Sequence, residues 1–378
     1  MCKHLVLCGA GHAHLAAIAA IPRFISLGHA VTVISADSYH YYSGMGPGML
    51  AGVYLPREIR FNVKKMTEDR GGKFVEDRAL ALDAQRRLIT LERYGVVGYD
   101  VASFNVGSEI VTAGIDMSRK SVITIKPIRN LEIARRRIHE LVDRRVPHLL
   151  RIAVIGGGAA GVEAAGNAWR CVQEMGGEAR VTLFGRGSLL RRFPPIARNK
   201  ALVSMTSRGI DVLENIAVKA NTEDMIFLGD GRQIAFDLAI LATGTKPSDL
   251  FTRSGIPTGP DGGMLVNRFL QSVRYPDLFG GGDCISFQPH PLERVGVYPV
   301  RESPILVHNL EAALSGRAMR GFKPQDSYLQ LLNLGDGTAV HNRKMPLSGT
   351  RYAFRLKEHI DREFMHKFQL SGELKEAE

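Results

Sequence analysis

The chain has 378 residues, enough to bury two substantial cores, and its 45% hydrophobic and 23% charged content is that of a globular protein. A formal net charge of +11 draws anions, among which nucleotide cofactors and acidic lipid qualify; without an aromatic-studded platform among the basic residues, nucleic acid is not an expected partner. No apolar run reaches the ~18 residues of a bilayer-spanning helix, and Cys2, Cys8, Cys171 and Cys284 show no CxxC or metal-type spacing, so a reducing cytoplasm is expected and a metal centre is not.

From the start of the chain, Leu5 to Cys8 reads as a short buried strand running into Gly9-Ala10-Gly11-His12-Ala13-His14 and an alanine-rich helix. Gly9 permits the tight turn and Gly11 lets a pyrophosphate approach the backbone at the helix N-terminus. His14 stands where a third glycine normally packs helix against strand. His12 and His14 are both candidates to touch the pyrophosphate, with simple packing the alternative for each. Lys3 and His4 before an apolar stretch mimic a secretory leader, but Gly9 and Gly11 interrupt its apolar core, so no cleaved signal is expected. The second strand, Val31 to Ile34, ends at Ser35; Asp37, two residues on, substitutes for the carboxylate that usually holds a ribose.

Further along, Arg135-Arg136-Arg137 to Arg144-Arg145 reads as a solvated helix face in a connection between domains. Ile152 to Ile155 then repeats the first design in complete form, with Gly156, Gly158 and Gly161. Its second strand, Val181 to Phe184, ends in Gly185-Arg186 with no carboxylate. Arg186 suits a 2′-phosphate, so NADPH is slightly favoured over NADH, against the plainer alternative of a surface arginine. Glu163 sits in the first helical turn, where the helix dipole alone favours an acid. The turn-rich stretch from Thr243 to Gly263 marks a boundary. The tail from Gly349 to Leu370 spaces Tyr352, Leu356, Ile360, Phe364 and Phe368 by fours among Arg355, Lys357, Arg362, His366 and Lys367, an amphipathic basic helix. Such a helix suits an anionic membrane surface; the alternatives are packing on its own domain or on a second subunit of a homodimer.

Three segments carry a resemblance. Tyr275 to Cys284, with Gly280-Gly281-Gly282-Asp283, is similar to the late strand of FAD-dependent pyridine nucleotide-disulfide oxidoreductases. Tyr99 to Ser108 and Phe236 to Pro247 resemble the strands that close each nucleotide domain there, the second closely and the first in degenerate form. Within that superfamily, Tyr42 to Gly52, Gly296 to Arg301 and Leu331 to Gly337 resemble the branch containing the flavoprotein domain fused to some selenide, water dikinases. That branch is related to type II NADH dehydrogenases and sulfide:quinone oxidoreductases, and the resemblance spans nearly the whole chain.

The resemblance implies FAD as cofactor and NAD(P)H as co-substrate. It puts Asp283, with Gly282, on the flavin's ribityl chain, Glu163 near where nicotinamide stacks on the flavin, and Tyr298 and Pro299 before a helix from Val300 to Leu314 that faces the ring. Gly44, Met45, Ala79, Gly107 and Ser108 join the flavin set, and Gly244 the NAD(P) set. Disulfide reductases of the superfamily carry a Cys-x4-Cys pair after the second strand; the loop from Ser35 to Gly52 contains no cysteine. Electrons reaching the flavin must therefore leave to an external acceptor, with a quinone the first expectation and a peripheral place on the cytoplasmic face of the membrane its corollary. The rival readings are a sulfide or reduced-selenium oxidoreductase using Cys284 and a flavin-binding module without turnover.

The expected architecture is α/β: two Rossmann-like three-layer domains, the second inserted in the first. Residues 1–118 and 250–325 form the FAD-binding domain, 119–249 the NAD(P)-binding domain and 326–378 a C-terminal extension.

Overall fold

The computed structural model describes residues 2–112, 114–144, 148–343 and 347–376; Arg145 of the basic segment lies outside them. Strand β1 (His4–Cys8) runs through a glycine turn into helix α1 (His12–Ala19), followed by β2 (Ala30–Ser35), β3 (Lys73–Glu76) and β4 (Val101–Phe104). Next come β5 (Val122–Thr124), α2 (Asn130–Asp143), β6 (Leu150–Ile155), α3 (Ala159–Glu174), β7 (Ala179–Phe184), α4 (Pro195–Thr206), β8 (Asp211–Leu213) and β9 (Leu238–Leu241). The chain closes with β10 (Leu278–Gly280), α5 (Val297–Ser315), the hairpin β11 (Leu331–Asn333) and β12 (Ala339–His341), and α6 (Arg351–Phe368).

Apart from the β11–β12 hairpin, these strands form two all-parallel sheets of the same plan, so the expected α/β class is what the chain adopts. The first sheet has the order β10-β4-β1-β2-β3 and the second β5-β9-β6-β7-β8. A parallel sheet covered on both faces needs strands that are apolar throughout, and Val101–Phe104 and Leu238–Leu241 are buried at every position. In each sheet the glycine-turn strand is central, with β1 between β4 and β2 and β6 between β9 and β7. Strand order reverses at that point, which opens a crevice beyond the strands' C-terminal ends.

The last strand of the first sheet, β10, comes from beyond the second sheet in sequence and pairs Leu278 with Ala102. Helix α5 packs along α1 and ends at Gly316, whose left-handed φ of 68° suits glycine.

The segment after α5 joins the two halves. The β11–β12 hairpin sits so close to α3 that a Cβ on Gly166 would overlap the Leu334 carbonyl, and one on Gly335 the Gly166 carbonyl. Asn167 and Asn333 bracket this contact, with Asn167 Nδ2 donating to the Asn333 carbonyl at 3.1 Å and Asn333 Nδ2 to Asn167 Oδ1 at 3.0 Å. This explains the Leu331 to Gly337 motif as a clasp. Helix α6 starts at Thr350, whose hydroxyl accepts from Ala353 N at 3.2 Å.

The buried face of α6 is Ala353, Lys357, Asp361, Met365 and Phe368, one position offset from the stripe that spacing by fours suggests. Phe364 and Phe368 do pack inward, Phe364 stacking on Tyr42 and both rings meeting Phe61 edge-on, whereas Tyr352, Leu356 and Ile360 are 68%, 37% and 43% exposed. Beyond it, Glu373 is fully buried and accepts from Asn62 N at 3.1 Å, and Glu376 pairs with Arg60 at 2.9 Å. Among the described residues no helix is long and apolar enough to cross a membrane.

Candidate dinucleotide cavity

A cavity of about 1330 Å³ opens at the C-terminal edge of the first sheet. That exceeds the roughly 300–1,000 Å³ of a usual small-molecule site, so it has room for a dinucleotide and part of a second molecule. Gly9, Gly11, His12, Ser35, Asp37, Gly44, Ala79, Gly107, Ser108, Gly282, Asp283, Pro299 and Glu163 all border it. The fold thus gathers most of the residues that sequence assigned to the flavin. The other expected set, Gly156, Gly158, Gly161, Arg186 and Gly244, lies outside this cavity.

The phosphate turn is built by close approach. A Cβ on Gly9 (φ 88°) or Gly11 would overlap Asn105, so only glycine fits. Asn105 itself was read as part of a degenerate signature. Its Oδ1 accepts from Ala13 N at 3.1 Å and its Nδ2 donates to the Gly281 carbonyl at 2.6 Å, tying α1 to the segment between β10 and Asp283.

Two histidines of the first turn part company. His14 is fully buried, with Nδ1 2.5 Å from the Gly9 carbonyl and Nε2 2.8 Å from Ser103 Oγ. Burial pulls it down to about 4, and it does not border the cavity. Its role is packing where the third glycine would sit, so the expected pyrophosphate contact is withdrawn for His14. His12 borders the cavity, with Nδ1 3.1 Å from His40 Nε2 and Nε2 buried without a partner among the described residues. Burial, then the Lys126 charge, lowers it to about 4 as well.

Three further expectations move. Met45 is 1% exposed and does not border the cavity, and Tyr298 also lies behind its wall, against Tyr328. Cys284 lies beneath the cavity floor, 0% exposed, with its thiol directed at the Phe104 and Gly281 carbonyls at 3.4 and 3.5 Å. Burial pushes it up to about 12, which disfavours the thiolate that a nucleophile needs. All four cysteines are unpaired.

Asp283 presents two different oxygens. Oδ2 takes Lys126 Nζ at 2.6 Å and Ser108 Oγ at 2.8 Å, while Oδ1 has no protein partner among the described residues. Asp37 is half engaged, with Arg129 at 2.7 Å on Oδ2 and Tyr39 N at 3.0 Å on Oδ1. Behind the floor, the buried Glu302 carboxylate accepts from Gly282 N at 2.5 Å, and burial raises it to about 7.

On the opposite wall the two halves meet α6. Glu163 Oε1 accepts from Asn333 N at 2.8 Å, and burial raises its carboxyl to about 7 against the pull of Lys357. Lys357 is 7% exposed; its ammonium donates to the Gly44 carbonyl at 2.5 Å and to Asp361 at 2.6 Å. Burial works against that charge, but Asp361 and Glu163 outweigh it and hold Lys357 above the usual lysine range. Asp361 also accepts from Tyr42 Oη at 3.0 Å. A protonatable acid beside a fixed cation is thereby placed at the cavity wall. Sequence reading found Glu163 but not Lys357, Asp361, Tyr42, His40, Lys126, Asn105 or Glu302.

At the second turn a Cβ on Gly161 would overlap the Gly156 carbonyl, whereas Gly158 faces open space. Arg186 is exposed. The acid at the end of the neighbouring strand, Glu214, is taken by Leu189 N and by Arg198 at 2.7 Å, which leaves no free carboxylate there for a ribose.

Two parallel sheets of the same order, each with a glycine turn at its centre, define a two-dinucleotide α/β oxidoreductase fold. The chain belongs to the pyridine nucleotide-disulphide oxidoreductase family, whose model matches residues 3–309. It is 23% identical over 283 residues to ferroptosis suppressor protein 1 of Taeniopygia guttata, covering 71% of each chain. It is 29% identical over 210 residues to demethylphylloquinone reductase NdbB of Synechocystis, covering 53% of this chain and 50% of that protein. Against the internal alternative NAD(P)H-ubiquinone oxidoreductase A1 of Arabidopsis thaliana it is 24% identical over 208 residues, or 50% of this chain and 41% of the relative. In fold it is similar to NDH2 of Plasmodium falciparum in complex with NADH, with TM-score 0.83, 13% identity and 99% and 98% of the two chains covered. The sulfide:quinone oxidoreductase of Aquifex aeolicus gives TM-score 0.77 at 17% identity, covering 98% and 92%.

Proposed function

We propose that the chain is an FAD-dependent oxidoreductase that takes electrons from NAD(P)H and hands them to a quinone or similar external acceptor without a redox disulfide. The observation that carries this reading is the cavity in which a phosphate turn, an Asp283 oxygen without a partner among the described residues and the Glu163–Lys357 wall converge. The names of the quinone-reducing relatives support it.

FAD suits the residues present. The Gly9 and Gly11 cradle admits no side chain, the N-terminus of α1 faces it, and Asp283 Oδ1 stands ready to accept from a hydroxyl. Asp37 and Ser35 would hold the ribose end, and Pro299 and Gly44 would border the ring. When bound, FAD supplies the two-electron chemistry. The chain's own work is to align the donor, keep water out and hold a proton at Glu163 near neutral pH, where a carboxyl raised to about 7 carries both forms.

In this reading residues 1–118 and 250–325 bind FAD, 119–249 bind NAD(P)H through Gly156, Gly158, Gly161, Arg186 and Gly244, and 326–378 form the extension. Arg186, with no ribose carboxylate beside it, favours NADPH. Tyr352 and Leu356 continue outward from Ile360, which is both exposed and at the cavity mouth. An apolar acceptor would follow that stripe, and Arg351 and Arg355 beside it suit an anionic membrane surface.

The test is the anaerobic visible absorbance of the purified protein after separate additions of NADPH, NADH and sulfide. Bleaching by a nicotinamide supports the reading, and the faster donor tests the assignment of Arg186. Bleaching by sulfide alone, abolished in Cys284→Ala, would replace it with the sulfide-oxidising alternative; bound flavin that no donor bleaches would leave a binding module.

A further inference from the structure

A second cavity, of about 530 Å³, lies apart from the dinucleotide site and shares no lining residue with it. That volume falls in the ordinary range for a small-molecule site. His4, Ala30 and Lys73, the first residues of β1, β2 and β3, border it, so it opens at the N-terminal ends of these strands, opposite the phosphate turn. Val31 and Val75 form a buried apolar wall, Val97 is half-buried, and Ile25 and Tyr94 stand exposed at the edge. Tyr94 is held there by its backbone N–H, which donates to the buried Asp77 at 2.7 Å.

The titratable side chains that line this cavity are His4, His29, Lys73 and Tyr94; no carboxylate joins them among the described residues. Asp100 accepts from His4 N at 2.7 Å but does not border the cavity. Lys73 Nζ donates to Tyr94 Oη at 2.6 Å, and an ammonium has two N–H groups more. His29 is 7% exposed, and burial, then the Lys3 charge, holds it below the usual histidine range. Its Nδ1 accepts from Lys3 N at 3.4 Å, so the neutral ring carries its proton on Nε2, which has no protein partner among the described residues. An exposed lysine needs no ligand to explain it. A donor on an imidazole nine-tenths out of water, lining a cavity together with a cation, calls for an acceptor.

We propose that this cavity is a second small-molecule site and that its ligand is a small organic acid. Its carboxylate accepts from Lys73 and from the His29 Nε2–H, and its apolar body lies against Val31, Val75 and Val97. A cation and neutral donors with no opposing carboxylate suit an anion and disfavour an ammonium. The apolar wall adds about 25 cal/mol for each Å² of ligand surface withdrawn from water. This site is independent of what the dinucleotide cavity binds.

The test is calorimetric titration of the protein with benzoate, with benzamide as its uncharged counterpart and benzylamine as a cation, in excess FAD to occupy the dinucleotide cavity. Benzoate is expected to bind at one site, at least roughly tenfold more tightly than benzamide, with no heat from benzylamine. Lys73→Gln removes the charge from an exposed position and should weaken benzoate roughly tenfold. Val97→Trp fills the cavity and should abolish binding, and in both variants anaerobic reduction by NAD(P)H should match the unmodified protein. His29→Gln, which keeps an N–H, should hold benzoate better than His29→Leu, which does not. No binding up to about 10 mM, benzoate no tighter than benzamide, or binding undiminished in both Lys73→Gln and Val97→Trp would overturn the site.

Discussion

The two glycine turns share one geometry and close it by opposite means. At the second, Gly161 has no side chain, and α3 settles directly onto the Gly156 carbonyl. At the first, an imidazole fills the equivalent gap and hydrogen-bonds to both sides, to the Gly9 carbonyl and to Ser103 of β4. One turn obtains close packing by deletion, the other by a polar staple. A third-position residue other than glycine therefore marks a different solution to helix–strand packing rather than a lost nucleotide site.

Gly161→Ala should break the comparison most severely. Its Cβ meets backbone, which cannot yield, so a loss of more than ~3 kcal/mol and of nicotinamide-driven bleaching is expected. Thermal unfolding and anaerobic reduction measure both, and reduction at the unmodified rate would refute the idea that the second turn closes only around glycine. Restoring the standard motif at the first turn, His14→Gly, should also destabilise, by about 2–4 kcal/mol, because it opens a cavity and strands the Ser103 hydroxyl. Urea unfolding checks this; a gain in stability would show that the imidazole is not a staple.

The same histidine sharpens the contrast through pH. His14 titrates at about 4 when folded and ~6.5 when unfolded, so below pH ~6.5 the unfolded chain binds a proton that the fold refuses. Its contribution is complete above that value and is lost as pH falls toward 4. Glu163 and Glu302, raised to about 7, act oppositely, their contribution fading as pH rises from ~4.3 toward 7. His14→Gly should remove one proton's share of the acid-side loss, up to ~1.4 kcal/mol per pH unit, from a plot of unfolding free energy against pH. An unaltered slope would mean that the ring is not held neutral. The smallest effect belongs to the surface of the second turn: Arg186→Ala should raise the KM for NADPH roughly tenfold, leave that for NADH unchanged and hardly move the Tm. Equal effects on both donors would remove the 2′-phosphate assignment.

What could be read from sequence was what is local. A strand, its glycines and the following helix are contiguous, so both turns and the Gly282-Asp283 end of the first sheet were visible, and the α/β class with them. What escaped depends on contacts across the fold. Lys357 and Asp361 count as polar positions in any periodicity, and nothing in the tail says that they face Glu163, far away in sequence; their burial is why the inward face of α6 differs from its aromatic stripe. Asn105 was hidden by a different effect, because it occupies a degenerate position in a known signature and does its cross-linking through the side chain that makes it degenerate. Cys284 misled through proximity in sequence: the residue after Asp283 points the other way, into the core.

Strand β10 has a consequence for the order in which the molecule is made. The strand that leads into Gly282-Asp283 pairs with β4, but the ribosome must first produce all of the second sheet. At about 5–20 residues per second, the first sheet waits on the order of ten seconds or more with β4 at an open edge and the carboxylate still unmade. The inserted half has that interval in which to fold, and the Lys126 that meets Asp283 is made well before it. Firm flavin capture is thus a late event of biosynthesis, and bound flavin certifies that both halves have been completed and docked.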